Sequence, residues 1–548
     1  MSTTIVRIHV DHRNITAAPG VSLMEAMVSG GLLLRSDCGG RGRCGKCMVR
    51  AASIAPDALS SAQGAEIKSL GEEQLAQGSR LACCAKVLAD VSVEIPAESL
   101  LTPEVVLKGP PVLLSKLENL PPLSPGQRSP GYGVAVDLGT TTIAVYLCDL
   151  SARSIVGSTS VRNPQAIFGD DVISRISAVR TDPATLPRLQ TMAVSAVDWA
   201  ASALCRRAGI DPAAVGEMVA VGNSTMIHLL LGEDPSCIGV FPYTPVFHED
   251  RLLPAGKAGL NFNPAARLRT LPLISGYLGA DIISAAIAAD LSHAPAGTLL
   301  VDVGTNGEII CLSGKGLAAT SCATGPAFEG ATIRHGMQAT SGAIDSVRFS
   351  RTTGCLDYTL IQGDPGRPKP PAGICGSGVI TAVAELLRAG VISTNGSFNI
   401  DCGSPCLRPG ENGMLEFEII PADAAGHRPA ITLTQADVRA VQLAKGALRT
   451  GIDLLCREND LPRPHKILLA GAFGSFINRF DALRLGMFPG VGDDAIEVVG
   501  NAAGAGAVLA LLQEDCFMQA RELARATRIL DLAAHPDFQE TFISSLSF

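Results

Sequence analysis

Val6, Ile8 and Val10 alternate with polar positions near the start of the chain, a two-residue period that predicts a half-buried β-strand. A short helical pattern follows at 23–28, then strand-like runs at 48–52 and 91–95, with a glycine-rich loop at 37–47. Residues 1–97 therefore read as a small β-rich domain dominated by one loop. From 98 to 130 the periodicity stops and seven prolines crowd in, the composition of a semi-rigid linker. Beyond 131, apolar strands alternate with amphipathic helical patterns, as in α/β architectures. The clearest helix is 434–458: Thr434 and Asp437 suit its first turn, and Val438, Val441, Ala444, Leu448, Ile452 and Leu455 recur at spacings of three and four. Residues 364–373 and 396–413 carry no such pattern and read as surface insertions.

One pattern occurs twice. The run Val134-Ala-Val-Asp137-Leu-Gly-Thr-Thr-Thr-Ile143 is echoed by Leu299-Leu-Val-Asp302-Val-Gly-Thr-Asn-Gly-Glu308. The echo predicts two similar lobes, approximately 131–295 and 296–548.

At 548 residues the chain exceeds one ordinary core, and 47% hydrophobic with 18% charged residues is globular chemistry. Apolar runs such as 502–512 fall short of the roughly 18 residues that span a bilayer, so no membrane association is expected. Arg7, His9, Asp11 and Arg13 leave no apolar signal-peptide core, which predicts a cytoplasmic protein. A net charge of −8 argues against nucleic acid as the main partner. Sixteen cysteines in that compartment predict metal or redox chemistry rather than disulfides.

Four of them, Cys38, Cys44, Cys47 and Cys83, are spaced C-x5-C-x2-C-x35-C. Four thiolates are what a 2Fe-2S cluster requires, and glycines 39, 40, 42 and 45 let the loop wrap closely around it. A zinc site is the alternative, although such sites usually pair two short knuckles and only one is present. Spacing alone leaves Cys84 open beside Cys83. Arg35, Arg41, Arg43 and Lys46 surround the loop, as tuning or docking charges or simply as solvated ones. Cys322, Cys375, Cys402 and Cys406 lack cluster spacing and read as free thiols.

The repeated pattern carries a second chemistry. A strand at 132–137, a tight turn at 138–142 and a strand at 143–150 form a hairpin that can cradle phosphate: Gly139 allows close approach, Thr140 and Thr141 offer hydroxyls, and Asp137 can hold Mg²⁺. The second copy supplies Asp302, Gly304, Thr305, Asn306 and Glu308. A third segment, Ile467-Leu-Leu-Ala-Gly471-Ala-Phe-Gly474, runs an apolar strand into a glycine turn suited to adenosine.

In this order the three motifs resemble the phosphate-1, phosphate-2 and adenosine motifs of the superfamily that joins acetate kinase, sugar kinases, heat-shock chaperones and actin (ASKHA). Arg80-Leu-Ala-Cys83 is similar to the fourth-ligand segment of adrenodoxin and plant-type ferredoxins, which implies Cys83 as the ligand. The combination, with Asn163-Pro-Gln, Phe168-Gly-Asp-Asp-Val-Ile-Ser-Arg175, Val221-Gly-Asn-Ser-Thr-Met226, Cys322-Ala-Thr-Gly-Pro-Ala-Phe-Glu-Gly-Ala331, Ser341-Gly-Ala-Ile344, Gly373-Ile-Cys-Gly-Ser-Gly378, Gln442-Leu-Ala-Lys445 and Gly500-Asn-Ala-Ala-Gly504, resembles the reductive activators of corrinoid-dependent methyltransferases along nearly the whole chain.

That resemblance implies a β-grasp (α+β) 2Fe-2S ferredoxin domain joined to a two-lobed α/β ATPase domain that closes around ATP. It implies an ATP-hydrolysing oxidoreductase that passes an electron to the Co(II) corrinoid of a partner protein, restoring Co(I) for methyl transfer. The corrinoid is the partner's, since no Asp-x-His-x-x-Gly cobalamin motif occurs. Asp137, Asp302 and Glu308 would act on Mg-phosphate and water, Gly139, Thr140, Thr141, Gly304, Thr305 and Asn306 would hold phosphate, and Gly471 and Gly474 would face adenosine. An external low-potential donor and a homodimer are also implied. Two other readings use related parts: an activator of 2-hydroxyacyl-CoA dehydratase, with a 4Fe-4S cluster between subunits, and a small-molecule kinase.

Overall fold

The computed structural model describes residues 5–548 except 11–12, 37, 43, 54–56, 102–110, 119, 121–130, 331, 363–369, 411–412, 423–429, 472–476 and 489. The chain separates into two compact units. The first comprises Met1–Gly109, Asn119–Asp281 and Ala507–Phe517; the second comprises Pro110–Glu118, Ile282–Gly506 and Met518–Phe548.

The first unit begins with the alternating strand, β1 (Val6–Val10), which pairs antiparallel with β2 (Arg13–Ala17). Helix α1 (Leu23–Ser29) starts at Ser22, whose hydroxyl accepts from the Glu25 amide. Strand β3 (Met48–Ser53), helix α2 (Gly64–Ala76), β4 (Ser79–Leu81) and β5 (Val91–Glu94) complete a sheet of order β2-β1-β5-β3-β4, in which β5 lies parallel to β1. Alternation predicted β1, β3, β5 and α1. It did not predict α2 or β4. The chain stays pinned to this domain past 97: the Arg35 amide donates to Ser99 O at 2.9 Å and the Leu101 amide to Leu33 O at 3.1 Å.

Most of the expected linker lies outside the described residues. Within it, Pro111–Glu118 is helical, against the expectation of a patternless segment. Pro111 at the first helical position needs no amide partner there, so this proline starts a helix instead of breaking one.

The same unit holds β6 (Tyr132–Leu138), β7 (Thr142–Asp149) and β8 (Ser154–Arg162), followed by helices α3 (Val172–Thr181) and α4 (Thr185–Ala208). Strand β9 (Val215–Val221), helix α5 (Ser224–Leu231), β10 (Leu252–Pro254) and β11 (Arg267–Thr270) finish it. The strand order is β10-β11-β9-β6-β7-β8, with β6 antiparallel to β7 and parallel to β9. Val134, Val136 and Leu138 are wholly buried, and each such side chain contributes about 1.5–3 kcal/mol.

The second unit repeats this plan with β12 (Thr298–Val303), β13 (Gly307–Ser313) and β14 (Gly316–Cys322). Two small sheets follow, one of β15 (Ala343–Phe349), β16 (Leu356–Leu360) and β17 (Gly373–Ile374), the other of β18 (Leu407–Pro409), β19 (Leu415–Ile420) and β20 (Ile431–Thr434). Helix α6 (Gly376–Arg388) lies between them in sequence, and α7 (Gln435–Glu458) comes after. Strands β21 (Lys466–Ala470), β22 (Ile496–Gly500) and β23 (Arg528–Ile529) give the order β22-β21-β12-β13-β14-β23. Again the central strand has its hairpin partner on one side, with Asp302 opposite Glu308, and a parallel strand on the other. The sequence echo is thus a repeat of topology.

Helix α7 matches its pattern. Thr434 and Asp437 form a reciprocal capping box, worth about 1 kcal/mol, and all six expected apolar positions are fully buried.

One expectation is corrected. Cys355 and Cys406 form a disulfide across 51 residues. The Ser404 hydroxyl donates to Gly354 O at 2.6 Å, which holds the two segments side by side and brings the Cα atoms to 5.6 Å, within bridging reach. Cys322, Cys375 and Cys402 are free. Among the described residues, no helix is long and apolar enough to cross a membrane.

Candidate cluster and nucleotide sites

The loop between α1 and β3 turns through Gly39, Gly40, Gly42 and Gly45, all with positive φ, and so presents Cys38, Cys44 and Cys47 from one short segment. Cys83 follows β4. The Cys47 and Cys83 sulfurs are 3.4 Å apart, and Cys44 is hydrogen-bonded to Cys38. Sharing a proton pushes the Cys44 and Cys83 thiols up and holds Cys47 down. Two thiol pairs, one for each iron, are the donor set that a 2Fe-2S cluster needs, so the residues present fit that group. Cys84 lies close by: its sulfur is 3.7 Å from that of Cys83, and a Cβ on Gly42 would sit 2.8 Å from it. The Glu66–Arg80 ion pair, 2.9 Å with Glu66 fully buried, anchors the fourth-ligand segment from α2, and Glu66 also accepts the Leu81 amide.

The cluster loop rests on the segment after β8. The Arg41 guanidinium donates to Cys38 O at 2.7 Å and pairs with Asp170 at 3.1 Å. A Cβ on Gly39 would come within 2.6 Å of Arg162, and one on Gly40 within 3.0 Å of Ile167. Arg188 of α4 clasps Glu25 of α1 with two bonds, 2.5 and 2.8 Å, and its guanidinium lies 4.8 Å from the centre of the Phe168 ring.

The first phosphate-type turn joins β6 to β7. The Gly139 amide donates to Thr142 O at 3.0 Å, and a Cβ at Gly139 would overlap that same oxygen, so only glycine fits. Thr140 is buried and accepts from Asn223 Nδ2 at 2.9 Å. Behind the turn, Asn163 Nδ2 donates to Gly139 O (3.0 Å), the Asn163 amide to Thr141 O (2.8 Å) and Arg175 Nη2 to Thr140 O (2.6 Å). With its carbonyls occupied from behind, the turn is held in place. Asp137, the penultimate residue of β6, lies beside it, half-buried.

The second turn joins β12 to β13. Thr305 is buried and its hydroxyl donates to Glu329 at 3.0 and 3.2 Å, while Thr324 Oγ1 donates to Gly304 O and Thr305 O at 3.1 and 3.0 Å. Asp302 is half-buried and Glu308 is 5% exposed, which removes the alternative of a solvent-facing strand-start glutamate. Gly471, at φ +98°, follows β21, and a Cβ there would fall 2.6 Å from Asp302 Oδ1. The third motif therefore abuts the second. Gly474 lies outside the described residues.

The chain matches three family models in succession: a 2Fe-2S iron-sulfur cluster binding domain at 7–88, the RACo middle region at 132–294, and the C-terminal ASKHA domain of RACo at 296–548. The corrinoid activation enzyme RamQ of Eubacterium limosum is 34% identical over 430 residues, 77% of this chain and 71% of that protein. This chain belongs to the RACo family of reductive activators. A further relative, the [Co(II) methylated amine-specific corrinoid protein] reductase of Methanosarcina barkeri, is 25% identical over 76% of this chain and 77% of its own length. The solved structure of a reductive activator for a corrinoid, iron-sulfur protein aligns with 99% of this chain and 98% of its own, at TM-score 0.70 and 30% identity. A ferredoxin domain followed by an ASKHA domain is thus the architecture here.

Within the RACo-type chain, the structure adds residues that motif reading did not assign: Asn163, Arg175 and Asn223 at the first turn, Thr324 and Glu329 at the second. All five stood inside the short runs that carried the family resemblance. Outside those runs they carried no signal of their own, since the burial of Asn163 and Arg175 appears only in the folded chain. Cys322, by contrast, is a buried thiol pushed up to about 12 by desolvation.

Proposed function

We propose that this chain is an ATP-dependent reductive activase, which donates one electron to the Co(II) corrinoid of a partner protein and so returns it to Co(I). Cys38, Cys44, Cys47 and Cys83 hold the cluster. When bound, a plant-type 2Fe-2S centre supplies single electrons at about −400 mV. Delivery to Co(II) runs uphill from there, and each 59 mV or so costs a factor of ten in the one-electron equilibrium. Nucleotide hydrolysis offsets that cost.

Gly139, Thr140 and Thr141 of the first turn, and Gly304, Thr305 and Asn306 of the second, bind phosphate oxygens. Asp137 and Asp302 orient Mg²⁺. Glu308, buried beside Asp302 in the strand register, positions the attacking water. Gly471 faces adenosine. The partner is a corrinoid protein and the cluster is refilled by an external low-potential donor.

The observation that carries this reading is the presence of paired cluster thiols and two phosphate-type turns in a chain of the RACo family. Its test is anaerobic absorbance of the reduced protein mixed with a Co(II) corrinoid protein. Co(I) that accumulates only with Mg-ATP supports the reading. A cobalt that stays Co(II) with every corrinoid partner tried, while the cluster is intact, sinks it in favour of the dehydratase-activator or kinase class.

A further inference from the structure

Three buried side chains of the first unit serve neither the cluster nor the nucleotide directly. Asn163, Gln165 and Arg175 are each fully buried, and they are hydrogen-bonded into one network. Asn163 Nδ2 and Arg175 Nη1 both donate to Gln165 Oε1, at 3.1 and 3.0 Å. Arg175 reaches in two directions. Nη2 donates to Thr140 O of the phosphate turn at 2.6 Å, and Nε donates to Gly169 O at 3.0 Å. Gly169 immediately precedes Asp170, whose carboxylate pairs with Arg41 at 3.1 Å and with Arg162 at 3.3 Å. Arg41 in turn donates to the carbonyl of Cys38.

We infer that the segment 163–175 couples the phosphate turn to the cluster loop, with Arg175 and Asp170 as its positioning residues, so that nucleotide affinity and cluster redox state depend on each other. The physical basis is short-range. Phosphate drawn onto the turn at 140–141 pulls on carbonyls that Asn163 and Arg175 already hold. A shift of Arg175 moves Gly169 O and hence the Asp170 carboxylate, the charge facing Arg41 beside Cys38. Buried, hydrogen-bonded side chains transmit such a shift because close packing leaves them little slack. Reduction of the cluster adds a negative charge at the other end of the same chain. Linkage requires that both directions share one coupling free energy.

The inference rests on the nucleotide reading above, and the test separates the two. The dissociation constant of a non-hydrolysable ATP analogue with Mg²⁺ is measured on the cluster-loaded full chain, oxidised and then dithionite-reduced. The expected result is about a tenfold ratio between the two states, equivalent to a shift of about 59 mV in cluster potential when nucleotide binds. Asp170→Asn, at a half-exposed position, and Arg175→Lys should bring the ratio close to one. Arg267→Ala, which breaks an exposed ion pair with Glu217 in the same unit, should keep it. Equal affinities in both redox states of the wild type overturn the inference, as does a ratio that survives Asp170→Asn. Absence of analogue binding in either state overturns the nucleotide reading itself, and the inference with it.

Discussion

The turns at 139–141 and 304–306 hang from the same topology, yet they are braced by opposite chemistry. The first is held from behind by Asn163 and by the guanidinium of Arg175, with Asn223 at Thr140. The second is held by hydroxyl and carboxylate groups, Thr324 on its carbonyls and Glu329 on Thr305, with Glu308 beside Asp302. Even the glycines differ: Gly139 has no room for a Cβ, whereas at Gly304 the nearest atom is 3.6 Å away. A duplicated hairpin supplies two equivalent frames, and the residues behind each frame specialise it. The braced, cationic turn shares its unit with the cluster loop; the acidic turn carries the groups suited to metal and water.

The largest expected effect concerns the cluster on which this contrast depends. Cys47→Ser should abolish the 2Fe-2S absorbance and EPR signal, and Cys83→Ser should do the same. Cys84→Ser should leave the cluster in place. Cluster loss in Cys84→Ser with retention in Cys83→Ser would reassign the fourth ligand.

Next come the paired aspartates. Asp137→Asn and Asp302→Asn should each lower ATP hydrolysis by about 100-fold or more, the scale seen when one preorganised charge-stabilising group is lost. Glu329→Gln should reduce turnover less, and its effect should be absent from variants in which Thr305 is already Val. A normal rate in Asp302→Asn would break the equivalence of the two frames.

Stability offers a smaller contrast. Arg175→Met leaves Thr140 O and Gly169 O without this donor and Gln165 with Asn163 alone, and should destabilise the first unit by about 2–4 kcal/mol in urea unfolding. Thr324→Val removes one hydroxyl shared between two carbonyls and should cost about 1–2 kcal/mol. Gly139→Ala should cost more than Gly304→Ala, since a Cβ overlaps backbone only at the former.

Much of this frame was legible in the sequence, because the strand–turn–strand pattern and its repeat depend on local alternation. The capping box of α7 and the cysteine spacing were readable for the same reason. Contacts between distant segments were not. The disulfide joins Cys355 to Cys406 across 51 residues, and Arg175 meets Thr140 across 35. Nothing local distinguishes a buried arginine in a short polar run from a solvated one, so its role appears only when the fold closes over it. The helix Pro111–Glu118 was hidden by its prolines, which mark breaks in most contexts.

The smallest effect is one of pH. His228 of α5 is fully buried, and desolvation holds its pKa below the usual value. Its Nδ1 faces Ser224 O at 2.7 Å and its Nε2 accepts the Val246 amide at 3.0 Å, which fixes the neutral form with the proton on Nδ1. The unfolded chain takes up a proton near pH 6.5 where the folded one resists it, so this group's contribution is complete above that pH and is lost as pH falls toward the folded value. Between pH 7.5 and 5.5 wild type should lose about 1 kcal/mol relative to His228→Gln, read from urea midpoints. A zero or opposite difference would remove the neutral-histidine assignment.

The most direct measurement is a single turnover without external reductant. Protein carrying a reduced cluster is mixed anaerobically with excess Co(II) corrinoid protein, and the EPR signal of the cluster is followed together with Co(I) absorbance. If cluster and turns act on the same electron, one Co(I) should form for each reduced cluster lost, with Mg-ATP and not without it. Co(I) formation at the same extent without nucleotide, or cluster oxidation that yields no Co(I), would contradict it.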